Sequence, residues 1–396
     1  MNTYKTCFPY TLLLTFIFAF QFSGCATNTV KVNPEEEIET ETTQLQESKL
    51  LDVGILLFEK GEITEKQKED EGVHDDIRKA EARFMAYHLK ETMQRTNGWG
   101  AIRVLPTESQ ITDVIVLGTI ISSNGEKLTL QIDVSDSRGQ LWFQKTYKTV
   151  ADEETYIYAK PGRDVYQYVY NRIANDIYRH RKKLTESELV TIRNTSELRY
   201  AAGVSPDPFT SYVTTSLDGQ STIIRLPAND DPQLDRVRKV REREFLFIDT
   251  INEHYSNFYN EMWDPYENWR KYYFIEAEQR RMVERRANQT KAVAALVMIA
   301  GFLRGGTGLF TTGALLYKHG MDISEEAEIH NDAIRELGDS LQAEVSPLVV
   351  EIQGRTVELT GSIEEQYQKW RELLHEIYIH ETGFAYEDGA TGSVQL

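Results

Sequence analysis

Three apolar-rich stretches separated by two turn signals place the strongest constraint on the fold. The stretches are residues 113–122, 128–134 and 141–149. Asn124-Gly125 stands between the first two and is a strong signal for a tight β-hairpin turn. In the second stretch apolar and polar residues alternate, which indicates a strand with one buried face. Asp136-Ser137-Arg138-Gly139 then turns the chain again, so the pattern predicts consecutive antiparallel strands.

The flanking segments complete an α+β domain over residues 50–182. Residues 52–58 and 101–105 are short apolar runs that predict two further strands. Apolar residues recur at helical spacing over residues 77–95 and again over residues 165–177, which predicts two helices. The fold class is therefore α+β: a small mixed-sheet domain with two helices, then a long helical hairpin region, with a terminal ββα module as one interpretation of the end.

Two sequence motifs in this domain resemble those of a group of periplasmic lipoprotein domains. Residues 113–120 resemble the segment aDyllsGsI of that group, and residues 128–142 resemble its LtLqltDlqtGeivW hairpin. The group includes the outer-membrane activators of penicillin-binding proteins, the curli secretion lipoprotein and the N-terminal domain of the translocation protein TolB. The resemblance covers roughly residues 50–182. It implies a shared fold and a role in the cell envelope.

The N-terminus has the pattern of an export signal. Lys5 precedes an apolar run over residues 12–20, which is too short for a spanning helix and is typical of a secretory signal over residues 1–24. Phe22-Ser23-Gly24-Cys25 follows and resembles the lipobox of bacterial lipoproteins. The resemblance implies cleavage before Cys25 and acylation of its thiol, which would hold the protein on a membrane.

Two further features bear on localisation and cysteine chemistry. Ala26 follows the cysteine, and by resemblance to Gram-negative lipoproteins this residue implies sorting to the outer membrane, with the protein facing the periplasm. Cys7 lies in the signal, so Cys25 is the only cysteine of the mature chain. The sequence therefore predicts no disulfide within one chain and no cysteine-based metal site.

Two polar segments are expected to lack a packed core. Residues 25–49 are rich in glutamate and have no aromatic residue, so we expect a flexible acidic tether. Residues 183–231 are polar and contain several prolines, and we expect a connector with a short strand or hairpin near residues 222–226.

Residues 232–345 are expected to be a helical region in which aromatic residues are frequent. Between residues 245 and 274 these aromatics recur at helical spacing among charges. Helix packing is one interpretation, and an aromatic layer at a membrane interface is the other. Asp264-Pro265 is expected to break the helix, because proline removes a backbone donor and clashes with the preceding turn.

A glycine-rich apolar hairpin tip is predicted at residues 292–317. Its two arms are about a dozen residues each, or about 18 Å at helical rise, against a hydrocarbon core of roughly 30 Å. A tip buried in protein, an oligomer contact and shallow membrane insertion all remain open. The residues expected to make a membrane or oligomer contact are Ala295, Met298, Gly301, Phe302, Gly305, Gly306, Gly308, Phe310 and Gly313.

The C-terminal part predicts a ββα module over residues 346–382. Residues 350–362 resemble the core of the BON domain, which occurs in periplasmic proteins and is associated with phospholipid binding. A generic ββα unit is the competing interpretation. Residues 383–396 are polar and are expected to form a loose tail.

No catalytic, metal-binding or cofactor-binding pattern stands out. His375 and His380 are five residues apart, about 140° around a helix, so they do not share the face that a zinc motif needs. Gly305-Gly306-Thr307-Gly308 lacks the lysine of a phosphate-binding loop. The net charge of −18 argues against a nucleic-acid partner.

These observations predict a non-enzymatic lipoprotein of the outer membrane. Its expected role is cell-envelope assembly through a periplasmic protein partner, with self-association as a further option. One alternative is an oligomeric, membrane-inserting or channel-forming lipoprotein that uses the apolar hairpin. A second alternative is an enzyme with an unrecognised site.

Overall fold

A mixed six-stranded sheet forms the centre of the computed structural model, which describes residues 28–33, 35–63, 75–108, 111–228, 230–302, 348–352, 355–359 and 362–382. The strands are β1 (Asn28–Lys31), β2 (Val53–Leu56), β3 (Ile102–Leu105), β4 (Val114–Ser123), β5 (Lys127–Asp136) and β6 (Leu141–Val150). Their spatial order is β1-β6-β5-β4-β2-β3. The pairs β4–β5 and β5–β6 are antiparallel, and the other neighbours are parallel. The predicted α+β class is confirmed.

Both predicted turns close hairpins, and they lie at opposite ends of the sheet. In the β4–β5 turn, the side-chain oxygen of Asn124 accepts from the backbone amides of Glu126 and Lys127, at 2.8 and 2.9 Å. In the β5–β6 turn, Gly139 has a φ of +79°, a conformation that suits glycine. We call these the Gly125 end and the Gly139 end; they are about 33 Å apart along β5.

Two helices pack against the sheet, and a short third helix lies between them in sequence. They are α1 (Asp75–Gln94), α2 (Glu153–Ile157) and α3 (Gln167–Lys183). α1 contacts β2, β3 and α3, and α3 contacts β6. The alternating residues of β5 are buried, as the sequence pattern predicts.

The acidic N-terminal segment is part of the domain, so the predicted tether is wrong for residues 28–41. β1 pairs with the edge strand β6. The carboxylate of Glu36 lies 3.2 Å from the guanidinium of Arg172, and the side chain of Arg179 donates to Glu39 at 2.8 Å. The glutamates therefore pair with arginines of α3 instead of repelling one another in solvent.

The predicted connector is also largely folded. It contains the helices α4 (Glu186–Val204) and α5 (Pro206–Phe209) and the hairpin strands β7 (Val213–Thr215) and β8 (Ser221–Ile223). A capping box of Thr185 and Glu188 starts α4. Ser137 at the Gly139 end donates to the carbonyl of Ile192, so α4 covers that end of the sheet. Thr195 and Ser196 are polar and buried on this helix, which interrupts the apolar pattern that would have indicated it in the sequence.

A single long helix, α6 (Pro232–Phe302), crosses the domain and continues through Pro265. The predicted break is wrong, because Met262, Tyr266 and Trp269 on either side of the proline are buried against the domain. Packing of this face offsets the one backbone hydrogen bond that proline removes. With 71 residues the helix is about 106 Å long.

The course of α6 runs from the Gly139 end to the Gly125 end. Near its start, Arg241 donates to the carbonyl of Ile111, just before β4. Further along, Asn252 exchanges hydrogen bonds with the backbone of Val104 on β3, at 2.9 and 2.8 Å. At the other end, a Cβ on Gly125 would overlap the carbonyl oxygen of Arg270, so glycine permits the close approach of α6 there.

The last described elements are β9 (Leu348–Ile352), β10 (Arg355–Leu359) and α7 (Ile363–Thr382). β9 and β10 pair antiparallel. α7 packs on the first part of α6: the ring of Trp370 stacks on Phe247 at 5.0 Å, and Tyr367 donates to Glu244 at 2.6 Å. Residues 303–347, with most of the predicted hairpin tip, and the predicted tail at 383–396 lie outside the described residues.

Candidate functional site

Aromatic side chains join α6 to α1. The ring of Phe84 on α1 lies 4.8 Å from the ring of Tyr259 and 4.8 Å from that of Tyr266. Tyr255 and Phe258 are buried in the same contact. Of the two interpretations of these aromatics, helix packing is therefore the one that the structure bears out for residues 247–274.

A buried ion pair fixes α6 at the Gly125 end. The Arg270 guanidinium donates to both carboxylate oxygens of Asp164, at 2.7 and 3.2 Å, and both side chains are buried. Burial acts to raise the pKa of Asp164, but the adjacent Arg270 outweighs it and holds this pKa below its usual range. Asp164 also accepts from the backbone amide of Tyr166, at 2.7 Å. The pair is charged at neutral pH.

A second buried carboxylate, Glu81 on α1, joins three elements. It accepts from the hydroxyl of Ser123 at the end of β4 and from the hydroxyl of Tyr266 on α6, both at 2.6 Å. The Arg78 guanidinium lies 3.1 Å away, with both members of this pair almost fully buried. Every partner of Glu81 belongs to the fold itself, so the cluster positions α6.

His88 and Tyr259 border an open cleft of about 720 Å³ between α1, α3, α6 and the N-terminal segment. The Nδ1 atom of His88 lies 2.7 Å from the Tyr259 hydroxyl. Burial lowers the pKa of His88 to about 4, although the charge of Asp164 offsets part of this effect. Burial also raises the pKa of Tyr259. Both groups are uncharged at neutral pH, which does not match the near-neutral pKa of an efficient acid–base catalyst.

An apolar surface patch lies at the Gly125 end, around α2. Its members Val150, Ile157 and Tyr158 are 60, 62 and 75 % exposed. α2 is held in place by Tyr156, whose hydroxyl donates to the carbonyl of Gly125 at 2.6 Å and whose ring lies 4.8 Å from Phe274 on α6. We call Val150, Ile157 and Tyr158 the α2 patch. Such a cluster suits contact with another molecule.

The predicted site residues fall mostly outside the described part of the chain. This applies to Cys25, to Phe22, Ser23 and Gly24 of the lipobox, and to Ala26. It also applies to Gly305, Gly306, Gly308, Phe310 and Gly313. Ala295, Met298, Gly301 and Phe302 lie on the last turns of α6, of which the structure describes the backbone. The anchoring and hairpin-contact assignments therefore stay predictions.

The described residues contain neither a metal-binding cluster nor a helix suited to span a membrane. Among the described residues, no group of three histidine, cysteine, aspartate or glutamate side chains could hold a metal ion. No helix within the described ranges is long and apolar enough to cross a membrane. His375 lies on α7 beside a separate cleft of about 600 Å³, with Glu244 and Arg371. The hydroxyls of Tyr200 and Tyr367 donate to Glu244, at 2.7 and 2.6 Å, so this carboxylate also serves packing.

The sequence patterns do not identify the Asp164–Arg270 pair, although the position of Arg270 indicates that it needs a buried partner. Arg270 shares a helical face with Tyr259, Met262 and Tyr266, and a charge on a buried apolar stripe requires a buried partner. The partner is 106 residues away and carries no comparable mark.

Comparisons of the chain with protein-family models, with curated proteins and with solved structures gave no match.

Proposed function

We propose that the protein is a lipid-anchored lipoprotein of the outer membrane that faces the periplasm and binds an envelope protein, without catalysing a reaction. The observation that carries this proposal is the course of the chain between the two ends of the sheet. β1 begins three residues after Cys25 and enters the sheet from the side of the Gly139 end. The part of α6 around Arg270 and the α2 patch lie at the Gly125 end, where a partner can approach.

The contacts that the buried carboxylates make within the chain support a binding role. Asp164, Glu81 and Glu244 are buried carboxylates, and each is part of a contact that fastens α6 to another segment of this chain. Such contacts hold α6 in one orientation on the domain. A rigid support of this kind suits a protein that presents a surface at a set distance from a membrane.

The anchor is tested by Cys25→Ser. We expect the variant to remain uncleaved or to become soluble, and we expect labelled palmitate to enter only the unchanged protein, because the thiol is the atom that accepts the lipid. Normal membrane retention of the serine variant would contradict the proposal.

The binding role is tested by site-specific photocrosslinking in intact cells. A photoreactive residue at Tyr158 should trap one discrete envelope protein, and the same residue at Glu253, which is exposed on the first half of α6, serves as the matched control. Equal crosslinking from both positions, or none from Tyr158, would count against a partner at the α2 patch.

A further inference from the structure

The position of β1 limits how far the lipid can be from the domain. Asn28 is paired with Lys145 on β6, and β6 begins at Leu141 at the Gly139 end. Cys25 and Asn28 are three peptide units apart, so they are separated by at most about 11 Å. Leu141 and Lys145 are about 13 Å apart along the strand. Given the proposed acylation of Cys25, on which this inference rests, the lipid is attached within reach of the Gly139 end.

Two leucines at that end have their side chains in solvent. Leu141 is 57 % exposed, and Leu217, at the tip of the β7–β8 hairpin, is fully exposed. Hydrogen bonds fix the hairpin to the β5–β6 turn: the Gln220 side chain donates to the carbonyl of Gly139 at 2.6 Å, and the amide of Ser221 donates to the carbonyl of Arg138 at 2.7 Å. Gly139 and Gly219 lie in contact across the two turns. Leu141 is two residues from Gly139, and Leu217 is two residues from Gly219.

Exposed single leucines are common on soluble proteins, so exposure alone would not identify a surface. The position of the two leucines identifies a surface, because both are fixed to the turn that lies near the anchoring point. The tip of the hairpin also carries Asp218, whose charge favours contact at the depth of the headgroups over deeper insertion.

Basic residues accompany the leucines. Lys182 and Lys183 are exposed in the last turn of α3. The ring of His180 in the same turn stacks on Trp142 at 4.6 Å, which places this end of α3 at the Gly139 end of the sheet. Lysines next to apolar side chains suit a surface of phosphate headgroups, because the ammonium groups attract the phosphates and the leucines enter the interface.

We infer that the Gly139 end is a membrane-contact surface, on which Leu141 and Leu217 enter the headgroup layer of the bilayer that holds the acylated Cys25. The lipid chains supply retention, and this contact fixes the orientation. The sheet and α6 then point away from the membrane, which keeps the α2 patch accessible from the periplasm.

Single-cysteine labelling tests the contact on the full, lipidated protein. The thiol of Cys25 carries lipid and no other cysteine is present after the signal, so a cysteine introduced by Leu217→Cys or Leu141→Cys is the only reactive thiol. Tyr158→Cys at the opposite end is the matched control. Each variant is labelled with an environment-sensitive fluorophore and reconstituted in vesicles of phosphatidylethanolamine and phosphatidylglycerol, with and without a headgroup-attached quencher.

We expect quenching at residues 217 and 141 to exceed that at residue 158 at least threefold, with a blue-shifted emission. Equal, weak quenching at all three positions on protein that still sediments with the vesicles would overturn the inference and leave the anchored function intact. A blue shift that grows with protein density, without quenching, would indicate that a second copy covers this surface. This result would also overturn the inference. Protein that fails to sediment would refute the anchor and, with it, the contact.

Discussion

Replacing Arg270 by methionine tests the reasoning about the buried ion pair. The change leaves the Asp164 carboxylate without its cation in a site from which water is excluded. Breaking a buried pair in this way costs about 3–5 kcal/mol. With an m value of about 3 kcal/mol/M, the urea midpoint should fall by roughly 1–2 M. Urea unfolding is measured on a form that begins at residue 26. It is followed by tryptophan fluorescence, because Trp263 and Trp269 lie on the same helix as Arg270.

The loss should depend on pH in a defined direction. In the unchanged protein the pKa of Asp164 is lower in the folded state, so the pair stabilises the fold above the ordinary carboxyl pKa of about 4, and this stabilisation is lost as the pH falls through the folded pKa. In Arg270→Met, burial without a cation raises the folded pKa of Asp164. The variant should therefore lie furthest below the unchanged protein near pH 7, and the difference should shrink toward pH 4.

Two further variants separate charge pairing from other effects. Arg238→Met, on the same helix, breaks an exposed pair with Glu197 and should cost about 0–1 kcal/mol. Adding Asp164→Asn to Arg270→Met removes the orphaned charge and keeps an oxygen for the amide of Tyr166, so it should recover most of the loss. A loss below about 1 kcal/mol for Arg270→Met, or one that does not change with pH, would refute the account.

Two other predictions address how the ends of the chain are held. Tyr367→Phe removes a 2.6 Å hydrogen bond to the buried carboxylate of Glu244 and should lower the free energy of unfolding by about 1.5–3 kcal/mol. Amide hydrogen exchange in α7 should become faster. Unchanged exchange would show that this bond does not hold α7 on α6. A form that begins at residue 42 loses β1 and the partners of Arg172 and Arg179, so its urea unfolding should show a loss of more than about 2 kcal/mol relative to a form that begins at residue 26. A free tether would leave the midpoint unchanged.

The central hairpins were predictable because the signal and the structure are both local. Asn124-Gly125 specifies the turn, and the alternation over residues 128–134 specifies which face is buried, so the observed ends of β4, β5 and β6 differ from the predicted ones by at most two residues. The strand order is less local: β2 pairs with β4 and β3 pairs with β2, both in parallel, which no short sequence pattern indicates.

The wrong predictions share one physical cause, which is tertiary contact between distant residues. The glutamates of the N-terminal segment repel one another in isolation, but Arg172 and Arg179 pair with them from more than 130 residues away. Pro265 would end an isolated helix, but the buried face of α6 continues on both sides of it. At Pro265, a local cost of about 3 kcal/mol is outweighed by the packing of the helix face.

The course of α6 also bears on the alternative in which the apolar hairpin enters a membrane. From Arg270, at the Gly125 end, the helix continues for 32 residues to Phe302, which adds about 48 Å beyond a sheet about 33 Å long. If the lipid lies next to the Gly139 end, as we propose, residues 292–302 lie on the side of the domain that faces away from the anchoring bilayer. This arm cannot enter that bilayer while α6 stays packed on the domain, because the contacts of Arg270, Tyr266 and Gly125 fix the direction of the helix. On that proposal, the surfaces left for this apolar arm are a partner protein, a second copy or a different membrane.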